Sequence, residues 1–169
     1  MTLDGYIAAP DGSVAFLDAF QHLGTDFGHQ AFYDTVDALV MGFATYAVVR
    51  NMPDVPWPYA GKPCFVCTRQ VQPPADANVT FVSADLHTQL TAVRAQHGRT
   101  WLVGGGQLAT TLWQHGLLDE VLLHVMPTVL GTGIPVFAPG APTKTLQLLE
   151  TQPHPGGVVA LHYRVQQER

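Results

Sequence analysis

The stretch Thr100-Trp-Leu-Val-Gly-Gly-Gly-Gln-Leu-Ala109 decides how this chain is read. Thr100 to Val103 is a short apolar run ended by glycine, which reads as a buried strand, and Leu108 to His115 follows with helical spacing. Three glycines between them make a strand-to-helix turn whose backbone can approach a bulky anion with no Cβ in the way. The first N–H groups of the new helix point at that anion, and the helix dipole favours its charge. A dinucleotide pyrophosphate suits this arrangement best. A tight turn needing unusual backbone angles is the plainer reading; three consecutive glycines favour binding.

Gly104, Gly106 and Ala109 also satisfy the G-x-G-x-x-A pattern of the Rossmann fold. That fold opens with its fingerprint and carries an acidic residue at the end of the next strand, whereas here about a hundred residues come first and Asp119 and Glu120 open the following strand. A different scaffold is therefore expected. Upstream, Met41-Gly-Phe-Ala-Thr-Tyr46 repeats the logic of apolar strand, glycine and helix start. Thr45 can offer a hydroxyl to a phosphate and Gly42 permits close approach, although an ordinary helix cap would look the same. Two such turns in one small protein point to one ligand.

Working outward, the pattern predicts a strand over 3–9, a helix over 29–36, a strand over 38–41 and a helix over 44–51. Three prolines make 53–58 a loop. Strands follow at 63–68 and 79–82, a helix at 86–97 with Leu86, Leu90, Val93 and His97 on one stripe, and a strand at 121–126. Residues 127–142 are rich in proline and glycine and read as a shaped loop; 145–151 and 158–165 read as closing strands. Strand alternates with helix early and the end turns antiparallel, which calls for a mixed sheet flanked by helices.

A chain of 169 residues with 47% apolar content suits a single domain with a real core. Charged residues make up 12%, about half the usual share, which hints at a covered surface. A net charge of −5, with Lys62 and Lys144 the only lysines, argues against a nucleic-acid partner. No apolar run is long enough for a membrane span and no signal peptide opens the chain, so a cytoplasmic location is expected. Cys64 and Cys67 lie in a strand pattern that turns them to opposite faces, so they read as buried structural thiols. The eight histidines show no H-x-x-x-H spacing, and neither a metal site nor a nucleophile elbow is expected.

Several segments together resemble the dihydrofolate reductase superfamily, above all the branch holding the reductase domain of riboflavin biosynthesis. They are Leu3-Asp-Gly-Tyr-Ile-Ala8, Val40-Met-Gly-x-x-Thr-Tyr46, Trp57-Pro-Tyr-x-Gly-Lys62 and Leu102-Val-Gly-Gly-Gly-x-Leu108. Leu118-Asp-Glu120 and Pro127-x-Val-Leu-Gly-x-Gly-Ile-Pro-x-Phe137 are similar to the end of that branch. The resemblance runs over nearly the whole chain in the right order. It implies a three-layer α/β fold with a mixed, mainly parallel sheet of about eight strands flanked by helices. It also implies a homodimer, NADPH as cofactor, and hydride transfer to a carbonyl or imine carbon of a small heterocycle, such as the ribosylamino-pyrimidine of the riboflavin pathway. Relatives start with a strand before Leu-Asp-Gly, so residues 1–169 are expected to form one domain lacking most of that strand.

Carried over by position, Gly104, Gly105, Gly106 and Gln107, flanked by Val103 and Leu108, would border the pyrophosphate. Gly42 and Thr45 would meet the adenosine-side phosphates, Thr68 and Arg69 the adenosine ribose, and Ile7 and Ala8 the nicotinamide. Phe43 stands where many relatives have arginine, which leaves Arg69 or Arg50 as replacements or else a weaker preference for NADP over NAD. Ala47-Val-Val-Arg-Asn-Met-Pro53 replaces the Asp-Asp-Pro stretch of the riboflavin enzymes, which argues for their chemistry on another substrate.

Asp26 is the first candidate for proton relay, since a carboxylate beside apolar walls can hold an aminopyrimidine or a proton. As Thr25-Asp26 before a helix it is also an ordinary N-cap, and that reading leads. Asp4 is a second catalytic candidate on the nicotinamide side, with an Asp-Gly turn as its plainer role. A dinucleotide-binding module without turnover, or an assembly subunit, is the alternative to a reductase.

Overall fold

The computed structural model describes residues 1–53, 55–70 and 75–166; Asp54, inside the loop predicted over 53–58, lies outside the described residues. The chain divides into two compact units, one of Gln30–Ala109 and one joining Met1–His29 to Thr110–Arg169.

The Gln30–Ala109 unit is built on a four-stranded parallel sheet. Its strands are β2 (Ala38–Gly42), β3 (Cys64–Cys67), β4 (Thr80–Val82) and β5 (Thr100–Gly104), in the order β4-β3-β2-β5. Ala38 to Met41 are all buried, as a parallel strand covered on both faces must be. Their neighbours are the helices α2 (His29–Asp34), α3 (Phe43–Arg50) and α4 (Leu86–Gln96). Leu39, Met41, Val66 and Tyr46 form the core with partly buried aromatics packed on it, among them Phe43, Trp57, Phe81 and Trp101. Burying each of these large apolar side chains contributes roughly 1.5–3 kcal/mol. Helix α4 buries Leu90 and Val93 and is capped by Asp85, whose side chain accepts the Thr88 N–H at 3.2 Å. Lys62 donates to the Tyr33 carbonyl in the last turn of α2 and to the Val36 carbonyl just past it, which gives this lysine a helix-end role.

The other unit carries β1 (Tyr6–Ala8), a 3-10 turn at Ala15–Leu17, α1 (Asp18–Gln21), β6 (Glu120–Val125), β7 (Ile134–Pro135), β8 (Leu146–Pro153) and β9 (Val159–Val165). Strands β6, β9 and β8 form an antiparallel sheet in that order, and β1 pairs antiparallel with β7. Helix α5 (Gly106–Gln114) starts in one unit and ends in the other. Its second half holds down the proline-rich loop. Trp113 Nε1 donates to the Pro142 carbonyl at 2.7 Å, Ala138 N to Thr110 Oγ1 at 2.7 Å, and Lys144 Nζ to the Trp113 carbonyl at 2.7 Å.

The mixed α/β class expected from the sequence holds, with three differences. Nine strands occur among the described residues, and the parallel ladders all lie in one sheet of four, with a single parallel bridge between Thr2 and Met126 outside it. The strand expected over 3–9 shrinks to Tyr6–Ala8, because Thr2 to Gly5 form a turn in which Gly5 takes φ +89 and its N–H bonds the Thr2 carbonyl at 3.1 Å. Helix α5 begins two residues before Leu108, taking Gly106 and Gln107 into its first turn.

Candidate functional site

The two glycine turns stand side by side. Strands β2 and β5 are parallel neighbours with Met41 in register with Gly104, so Gly42 and Gly104 lie together at their carboxyl ends. Gly42 is also in register with Cys67, so β3 delivers Thr68 and Arg69 to the same edge of the sheet. In open parallel sheets this is the edge where ligands bind. Helices α3 and α5 both begin there, each turning the positive end of its dipole toward it.

Glycine is required here by geometry. Gly105 has φ +106, a region L-residues avoid. A Cβ on Gly105 would lie 3.7 Å from Leu108 Cβ, 3.7 Å from Thr45 Oγ1 and 3.8 Å from Gly42 Cα, filling the space between the turns. A Cβ on Gly104 would press on Thr45 at 3.4 Å. Thr45 therefore lines the cradle, and among the described residues no hydrogen bond engages its hydroxyl. The bare backbone, the free hydroxyl and two helix N-termini fit a diphosphate.

Around this cradle the predicted residues fall into place unevenly. Thr68 is buried and its hydroxyl accepts the Gln70 N–H at 3.0 Å, so it shapes the turn after β3. Arg69 is exposed. Arg50 donates from Nε to Asp76 at 2.9 Å, so part of its charge is already matched by a carboxylate. Phe43 packs against Tyr46 and Phe81, at ring separations of 5.7 and 6.4 Å, as part of the core. Asp76 was not anticipated. It also accepts the Tyr46 hydroxyl at 2.8 Å and anchors its loop to α3. Cys64 and Cys67 are buried free thiols, which burial pushes up to about 12 and about 11. They are therefore inert at neutral pH.

The remaining candidates belong to the other unit. Ala8 is buried in β1 opposite Ile134, and Ile7 is half-buried. Asp4 accepts the Thr2 hydroxyl at 2.6 Å, Gly131 N at 2.7 Å and Leu130 N at 3.1 Å. The Thr2 hydroxyl, aided by the two amides, holds the Asp4 carboxyl below its ordinary value against some opposing burial. At neutral pH Asp4 is thus an ionised acceptor that ties two loops together. Thr2, buried beneath it, was not singled out by any sequence signal. Asp26 is exposed and accepts the Gly28 N–H at 3.0 Å within its own turn, without the apolar walls expected around it. That turn is held by His124, whose ring nitrogen lies 2.9 Å from the Phe27 carbonyl, and by the Phe27 ring standing edge-on to His154. Burial keeps His124 below the usual histidine range, so it is neutral near pH 7. No group of three or more His, Cys, Asp or Glu placed to hold a metal occurs among the described residues. No helix among them is long and apolar enough to cross a membrane.

Residues 1–160 match the family model of the RibD C-terminal domain. The chain belongs to that family. It is 35% identical over 164 residues to the uncharacterised protein YwjB of Bacillus subtilis, covering 96% of this chain and 92% of that one. A Shewanella sp. PV-4 protein, provisionally assigned to riboflavin biosynthesis, superposes with a TM-score of 0.85 at 25% identity, over 99% of this chain and 96% of its own. The Thermotoga maritima diaminohydroxyphosphoribosylaminopyrimidine deaminase/5-amino-6-(5-phosphoribosylamino)uracil reductase superposes with a TM-score of 0.69 at 14% identity. That match covers 98% of this chain and 54% of the Thermotoga protein, and it speaks for the fold alone. As a RibD C-terminal domain, the chain carries its glycine cradle on the parallel sheet that this family's fold provides.

Proposed function

We propose that this RibD C-terminal domain is a reductase that holds NADPH with its diphosphate in the Gly42/Gly105 cradle. Its substrate is a small heterocycle of the ribosylamino-pyrimidine kind, reduced at a carbonyl or imine carbon. The single observation that carries the reading is Gly105, at φ +106 with Thr45, Leu108 and Gly42 around the space its missing Cβ leaves. Bound there, NADPH supplies the hydride. The chain's own residues do the rest. Gly104, Gly105, Gly106 and Gln107 seat the diphosphate, with Val103 and Leu108 as walls. Thr45 donates its hydroxyl to a phosphate oxygen, and Gly42 lets that phosphate close in. Thr68 and Arg69 take the adenosine ribose, the exposed Arg69 bringing a positive charge to it.

The chain titrated with NADPH should bind it and shift the reduced cofactor's fluorescence. Gly105→Asp adds a side chain and a negative charge to an anion cradle, and should abolish that binding while the fold survives by circular dichroism. A folded Gly105→Asp chain that binds NADPH like the parent would remove the proposal. A second reading, a dinucleotide-binding module without turnover, is favoured by one observation: Asp4 and Asp26 both have carboxylates engaged in loops and turns. In a reductase the proton that follows the hydride then comes from water. NADPH binding with no oxidation across a panel of cyclic carbonyl and imine substrates would select the module.

A further inference from the structure

Helix α3 carries Thr45 into the glycine cradle, and what holds that helix in place lies further along it. Among the described residues no side-chain hydrogen bond closes its first turn, which Gly42 caps. The rings of Phe43, Trp57 and Phe81 pack against Tyr46 at 5.7, 6.1 and 5.5 Å. Apolar packing has little direction and leaves the roll of the helix about its axis loosely set. Two hydrogen bonds tie side chains of α3 to another segment, and both end on one atom. The Tyr46 hydroxyl donates to Asp76 Oδ2 at 2.8 Å, and Arg50 Nε donates to the same oxygen at 2.9 Å. Residues four apart share a face, so both bonds pull on one side of α3. Asp76 is itself held: its other oxygen accepts the Asn78 amide at 2.9 Å, and its side chain is 6% exposed.

We propose that Asp76 is the positioning residue of the cradle: it fixes the roll of α3 and so aims the Thr45 hydroxyl at the diphosphate. This role rests on the reading of the cradle as a dinucleotide site. The Thr45 Cα lies about 2.3 Å from the helix axis, so a roll of roughly 20° carries it about 0.8 Å and its hydroxyl further. A binding group works only within about 0.5 Å of its proper place. Threonine is β-branched and stiff at χ1, so the hydroxyl follows the backbone and does not recover the loss by itself. Asp76 acts through Tyr46 and Arg50 and takes no part in holding the phosphate, whose charge it opposes. That opposition gives the role a distinctive sign: charge alone predicts tighter anion binding without Asp76, and positioning predicts weaker.

A double-mutant cycle read by NADPH titration tests this on the full chain. Thr45→Val should weaken binding roughly tenfold, the contribution of one hydrogen bond to a charged group. Asp76→Ala should weaken it roughly fivefold, although loss of a carboxylate by itself favours an anion. In the Asp76→Ala chain, Thr45→Val should cost less than about twofold, because a misaimed hydroxyl has little left to lose. Asp85→Ala, which removes the cap of α4 in the same unit, should lower stability and leave binding unchanged. Should Asp76→Ala fail to fold, Tyr46→Phe takes its place: the ring stays in the core, the hydroxyl goes, and the same loss of coupling to Thr45 is expected. Four results would overturn the inference while the parent still binds NADPH: a Thr45→Val chain that binds like the parent, additive effects at Thr45 and Asp76, tighter binding without Asp76, or an Asp85→Ala chain as weak as Asp76→Ala. A parent that does not bind NADPH removes the cradle's ligand and this role together.

Discussion

Asp76 sits at the meeting point of three side chains and one amide, and its charge has a measurable consequence. The Asn78 amide donates to it at 2.9 Å, and Tyr46 and Arg50 reach it from α3; its side chain is 6% exposed. The Asn78 amide above all, helped by Tyr46 and Arg50 against the cost of burial, holds the carboxyl at about 2. A lowered folded pKa means the ionised group stabilises the fold above its unfolded pKa of about 3.9, and that this stabilisation disappears as pH falls through about 2. Asp76→Asn should therefore cost roughly 1–2 kcal/mol near neutrality, the half-exposed Arg50 being partly screened. Urea unfolding of both proteins should converge as pH falls from about 4, where Asp76 of the unfolded chain takes up a proton, to about 2, where the folded carboxyl does. A constant difference across that range would mean that shape, not charge, is what Asp76 contributes. This residue was not legible in the sequence because its partners lie 30 and 26 positions away. Gly42, Thr45 and Gly105 were legible because a glycine after an apolar strand is a local signal.

Whole elements show the same divide between local and distant causes. Helix α4 follows from the spacing of Leu86, Leu90 and Val93, and β2 from an unbroken apolar run. Strand β7 could not be foreseen: two residues, one a proline, carry no period, and the pairing is decided by β1. What makes it possible is Gly133. A Cβ there would collide with the Ala8 carbonyl and come within 3.1 Å of Tyr6 Cβ. The obstacle includes backbone, so β1 and β7 would have to part. Gly133→Ala should then lower stability by about 2 kcal/mol, within the range for overpacked sites. Hydrogen exchange of the β1 amides should rise more than that of β9. Equal rises in both strands would show that the change acts through the fold as a whole and not through this contact.

Across the molecule, the sequence suggests a single domain while the chain's contacts fall into two units, and unfolding tells the two descriptions apart. The connectivity favours one cooperative body. The segment Met1–His29 has its β1 partner and its His124 anchor on the far side of the Gln30–Ala109 unit in sequence, so neither half of its unit is complete until that whole segment has been made. Helix α5 crosses the boundary, with Gly105 bonding Ala109 at one end and Lys144 capping Trp113 at the other. A helix so short is marginal unless both ends are held, so losing either unit should melt it and loosen the other. Two reporters are built in. Cys64 and Cys67 lie in β3 with protonated, unreactive thiols, so alkylation requires β3 to open. The β9 amides report on the other unit by hydrogen exchange. In rising urea, thiol labelling and β9 exchange should give the same opening free energy with the same denaturant slope. If β3 opens at lower cost than β9, or the reverse, the units fold as separate bodies; the glycine cradle would then follow the stability of the Gln30–Ala109 unit, and NADPH would protect Cys64 and Cys67 while leaving β9 unchanged.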